Sequence, residues 1–166
     1  MKTIYIVRHA KSSWDIPDIP DEQRPLTEKG KKRISKVIDY LHKNHIKVDC
    51  IISSHAVRAF ETAKILAKGM HFPVSEIRID SIFYHANNDD ILGQFCGLPE
   101  ICNSVMLVGH NPALTDFVNI FLDPPIENLP TSGVVSISFD TDHWGKVPKA
   151  GTKTNFILFP KELPDK

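Results

Sequence analysis

Apolar positions along this chain alternate between short continuous runs and longer stripes at helical spacing. Residues 4–7 (IYIV), 50–52 (CII) and 105–108 (VMLV) are too short for helices and rich in β-branched side chains, which reads as strands buried on both faces. Between them lie stripes of period 3.6: Ile34, Val37, Ile38 and Leu41; Ala56, Phe60, Ala63 and Ala67; Leu114, Phe117, Val118 and Phe121. Thr27 is placed to cap the first helix with Glu28 in its first turn, Gly69 to end the second, and Pro112 to open the last. A weaker helix is expected over residues 89–95 and a third strand over residues 74–79. Residues 134–139 alternate apolar side chains with serine, the pattern of a half-exposed strand, and residues 155–159 suit a last strand. Residues 16–24, with two prolines and several acids, read as a surface loop.

Strands alternating with helices predict an α/β fold: a three-layer α/β/α sandwich around a mostly parallel central sheet. The 166 residues suit one domain, and no repeat or linker divides them. Twenty basic residues balance twenty acidic ones, so no overall field draws nucleic acid or an acidic membrane, and any anion site must be local. Three cysteines without CxxC spacing argue against a disulfide framework and a zinc site, and fit a reducing, cytoplasmic compartment. The N-terminal apolar run is too short for a signal peptide or a membrane span.

Candidate chemistry sits where the buried strands end. Open α/β sheets bind ligands outside the carboxyl ends of their strands. There the first strand delivers Arg8 and His9. The second delivers Ser53, Ser54 and His55, with Arg58 in the next helical turn. The fourth delivers Gly109, His110 and Asn111. Two guanidinium forks, two imidazoles and nearby helix N-termini suit a tetrahedral dianion such as phosphate. Each feature alone has an ordinary structural reading; their recurrence at one sheet edge does not. Cysteine-phosphatase spacing, a phosphate-binding loop of the Walker type and an HExxH helix are all missing from the sequence.

The segments RHAKS, RPLTEKG, SSHAVRAFETA and VGHNP, in that order, resemble the histidine phosphatase superfamily, the phosphoglycerate-mutase-like fold, and within it the small SixA-type phosphohistidine phosphatases. The resemblance implies His9 as a nucleophile that becomes phosphorylated, with Arg8, Arg58 and His110 binding the phosphoryl group and Ser12 within its reach. Neither a metal nor a cofactor is implied. His55 departs from the pattern by standing where proline is usual. The carboxylate that larger relatives use as a proton donor has no clear counterpart, which leaves Asp15, His85 and Asn111 as candidate donor or substrate contacts. The implied activity is hydrolysis of phosphohistidine on a protein, such as a phosphotransfer domain in signal transduction. The alternatives are a small-molecule phosphomonoesterase on the same chemistry and a non-catalytic phosphate-binding module. A monomer or weak dimer is expected.

Overall fold

The structure is a computed structural model and describes residues 1–165. One six-stranded sheet runs β3-β2-β4-β1-β5-β6, formed by β1 (Lys2–Arg8), β2 (Cys50–Ser53), β3 (Arg78–Ile79), β4 (Ser104–Gly109), β5 (Val134–Phe139) and β6 (Thr152–Leu158). Strands β1 to β4 pair in parallel; β5 is antiparallel to both of its neighbours.

Strand alternation sends successive side chains to opposite faces, and each face has its own helical layer. Tyr5, Val7, Ile51, Met106 and Val108 pack with α1 (Glu28–Lys43) and α2 (Val57–Gly69) through Ile34, Val37, Leu41, Ala63 and Leu66. Ile4, Ile6, Ile52, Val105 and Leu107 pack with α3 (Asn88–Cys96) and α4 (Ala113–Asn119) through Ile91, Phe95, Leu114, Phe117 and Val118. This is the expected α/β/α sandwich.

Three local expectations change. Of residues 74–79 only Arg78–Ile79 is strand, because Val74–Glu76 winds into a 3-10 turn. The serines of β5 are buried, because β5 lies inside the sheet between β1 and β6 and side chains of both neighbours reach over them. They form a polar seam in which Ser138 pairs with Thr3 at 3.0 Å and Asn155 Nδ2 donates to Ser136 and Ser138 at 3.1 and 2.8 Å. Residues 16–24 are not wholly a surface loop: Asp21–Gln23 forms a 3-10 turn, and Arg24 behind it is buried.

The start of α1 supports the turn after β1. Thr27 Oγ1 accepts from Gly30 N at 2.9 Å, while Thr27 N donates to Lys11 O at 2.9 Å. A Cβ on Gly30 would lie 2.4 Å from Lys11 O, so only glycine lets the helix come this close. The RPLTEKG segment thus braces the backbone that carries His9.

Candidate active site

Parallel pairing aligns the three strand ends. Arg8 is in register with Gly109 and Ser53 with Val108, and His9 N donates to Gly109 O at 3.0 Å. His9 and His110 therefore meet, with ring centroids 5.2 Å apart. Thr62 of α2 bolts the helix to the β1 end: its hydroxyl accepts from Ala10 N at 2.9 Å and donates to Arg58 O at 2.7 Å.

His9 Nδ1 donates to Ala10 O at 2.7 Å, which leaves Nε2 as the ring's lone-pair nitrogen. Burial pushes the His9 pKa down to about 4; the Ala10 carbonyl opposes this, while the charges of Arg58, Arg8 and Arg24 add to it. His110 Nε2 lies 2.8 Å from Ser54 Oγ, and burial followed by its neighbours His9 and Arg58 lowers its pKa to about 3. Both rings are neutral at physiological pH. Arg8 Nη1 donates to Leu129 O at 3.1 Å, and burial followed by the Arg58 charge lowers its pKa.

Three residues that sequence reasoning missed, Arg24, Asp21 and Tyr84, sit in this cluster. Arg24 Nη1 donates to Ser12 Oγ at 2.7 Å and to Ser13 O at 3.2 Å, and its Nε donates to Asp21 Oδ1 at 3.0 Å. Asp21 also receives Arg58, through its carbonyl at 2.7 Å and its Oδ2 at 2.9 Å, and accepts from the Tyr84 hydroxyl. The Tyr84 hydrogen bond, then those from Arg24 and Arg58, hold its carboxyl well below the usual carboxylate range. In the sequence Asp21 and Arg24 belong to an ordinary acidic, proline-containing loop; no local pattern announces a partner 37 residues away. The RPLT resemblance was the one available hint. His55 Nε2 reaches Glu22 Oε2 at 3.0 Å and its ring lies 5.2 Å from that of Tyr84, so it tethers the same 3-10 turn.

A cavity of about 260 Å³ opens over His9, lined by Arg8, Ser12, Trp14, Arg24, Arg58, His110 and Asn111 among others. A hollow of about 380 Å³ adjoins it, sharing His110 and Asn111 and lined further by Tyr84, His85 and Asp116. A larger hollow of about 480 Å³ on the outside of α1, among Lys29, Lys32, Arg33, Lys36 and Asp165, touches none of these groups. Asp15 is exposed and does not line the cavity. His85 edges the neighbouring hollow instead, its ring 4.3 Å from that of Tyr84. The Asn111 side chain is spent on structure: its amide donates to Leu129 O and Asn128, and its carbonyl accepts from Thr115. Ser132 has a left-handed backbone (φ 61°), and its N–H reaches both Arg8 O and His9 O at 3.0 and 3.2 Å.

Residues 4–82 match the family model of the histidine phosphatase superfamily, branch 1. That span holds Arg8, His9 and Arg58, and the strand order and three-layer build belong to the same fold. Over those residues the chain is similar to the histidine phosphatase superfamily. A SixA structure from Agrobacterium tumefaciens superposes on this chain with a TM-score of 0.77 at 24% identity, covering 96% of this chain and 99% of that one. A protein histidine phosphatase SixA complexed with tungstate gives 0.80 at 19% identity, covering 96% and 97%. A mycobacterial glucosyl-3-phosphoglycerate phosphatase gives 0.64 at 14% identity, covering 93% and 97%. These likenesses concern the fold. In sequence, an uncharacterised protein of Mycobacterium leprae is 29% identical over 160 residues, 95% of this chain and 96% of that one. No group of three or more histidine, cysteine or acidic side chains suited to a metal ion occurs among the described residues. No helix among them is long and apolar enough to cross a membrane.

Proposed function

We propose that this chain is a histidine phosphatase that cleaves phosphohistidine on a protein through a phosphorylated His9. One observation carries the phosphate-site reading. Arg8 Nε, Arg58 Nε and His110 Nδ1 are all buried without a hydrogen-bond partner. A buried unpaired donor costs about 1–3 kcal/mol, and two unpaired guanidinium N–H groups with an unpaired ring nitrogen beside one neutral nucleophile suit an anion that would satisfy them. His9 Nε2 attacks phosphorus and the bond to the leaving group breaks. Water then attacks the phosphohistidine, releases orthophosphate and returns His9 to its neutral form. The cationic side chains take up the charge on the equatorial oxygens.

The leaving group is read from what the wall lacks. Among the described residues lining the His9 cavity there is no carboxyl group, and Asp21 beside it is held as an anion by Tyr84, Arg24 and Arg58. An alkoxide needs a strong acid to leave; an imidazole, with a conjugate acid near pKa ~6.5, needs much less help. The adjoining hollow, with Asp116 and His85, favours a second reading: a small phosphorylated metabolite whose body lies there. In this scheme Arg8, Arg58 and His110 contact the phosphoryl group, Arg24 orients Ser12, and Asn111 positions the Leu129 carbonyl that holds Arg8. Asp15 is left without a part.

The test is turnover in EDTA of phosphohistidine protein, para-nitrophenyl phosphate and phosphoglycerate by wild type and His9→Ala. The expected result is fastest cleavage of phosphohistidine, an acid-labile, base-stable phosphoenzyme, and a loss of at least about a thousandfold in His9→Ala. Preference for the esters would favour the metabolite reading. Turnover that survives His9→Ala would refute both.

A further inference from the structure

The stretch that carries Arg8 and His9 ends in Trp14, a residue for which the phosphoryl chemistry has no use. Trp14 is 78% exposed, yet it lines the His9 cavity. Its ring is stacked on Arg24, whose guanidinium carbon lies 3.5 Å from the ring centroid. Arg24 cannot swing away, because Asp21, Ser12 and Ser13 hold it and its side chain is only 8% exposed. One face of the indole is thus fixed on an immobile plane while the rest of the ring is open to solvent. A tryptophan needed only for packing would be covered; this one stands at a cavity mouth.

In-line displacement decides what meets it. His9 is buried at the cavity floor, so a phosphoryl group attacked by Nε2 must expel its leaving group toward the mouth. Trp14 is the one aromatic residue other than histidine among the described residues lining that cavity. We propose that Trp14, clamped on Arg24, is the surface on which the imidazole ring of the departing histidine stacks, and so a specificity-determining residue. This rests on the phosphohistidine reading above. A planar ring gains from such a platform; a bare amine or a saturated alcohol does not.

Two substrates with the same P–N bond separate the effect from the chemistry: phosphoimidazole carries the ring and phosphoramidate does not. In Trp14→Leu the ratio of their kcat/KM values should fall about five- to tenfold, through the KM of phosphoimidazole, and Trp14→Phe should restore most of it. Parallel loss on both substrates would mean that Trp14 only steadies Arg24, and would overturn the proposal, as would an unchanged ratio. A binding measurement that needs no turnover accompanies it. Trp144 is fully buried, with its N–H on Cys102 O at 2.7 Å, so changes in iodide quenching report Trp14. In His9→Ala, phosphoimidazole should protect Trp14 from iodide and orthophosphate should not. Equal protection refutes stacking even if no substrate is turned over, whereas ring-specific protection without turnover upholds it and rejects the phosphatase reading alone.

Discussion

Acid should unfold this protein through its two central histidines. His9 and His110 are buried neutral, with pKa values of about 4 and about 3, against about 6.5 for an unfolded histidine. The unfolded chain therefore binds more protons than the folded one between those values, and unfolding free energy rises with pH in that window. The stability these rings contribute is complete above pH ~6.5 and is lost as pH falls toward the folded values. From pH 7 to pH 5 each ring costs about 2 kcal/mol, about 4 together, a large share of the roughly 5–15 kcal/mol that holds a domain. The assay is urea unfolding at constant ionic strength at pH 7, 6 and 5, with the imidazole Cε1–H resonances followed by NMR. His9→Asn should remove about half of the pH dependence. A flat stability between pH 7 and 5, or a His9 resonance titrating near 6.5 in the folded protein, would refute the reasoning.

Gly30→Ala should reverse its usual sign. Alanine normally stabilises a helix interior by about 1 kcal/mol over glycine, but here the new Cβ would press on Lys11 O at 2.4 Å; thermal melting should show a loss, and NMR should show the His9 turn disturbed. Thr62→Val keeps the shape but strands the buried Ala10 N–H, so denaturant unfolding should report a loss of about 1–3 kcal/mol, with the α2 end near Arg58 loosened in hydrogen exchange.

The residues legible in the sequence were those announced by strand ends. Arg8, His9, Arg58 and His110 follow short apolar runs, and the parallel alternation of strands and helices sends such ends to one edge; the sheet does bring them together. The alternation of β5 was legible too, but not its burial, because exposure depends on the side chains that neighbouring strands bring beside it. Asp21, Arg24 and Tyr84 were not legible. Their contacts with one another and with Arg58 span 3 to 63 residues, mostly between segments with no periodicity to read.

By itself the sequence determined the layer architecture, the caps that start and stop the helices, and which side chains leave the strands at the binding edge. These follow from local periodicity and from the rule that apolar faces must be covered. Tertiary structure alone decided the electrostatic state of the site. The depth at which His9 and His110 are buried, the Ala10 carbonyl that selects a tautomer, the carboxylate that pins two arginines, and the indole held open at the mouth arise from contacts between distant segments. Desolvation and hydrogen-bond geometry act over a few ångströms of space, whatever the distance along the chain.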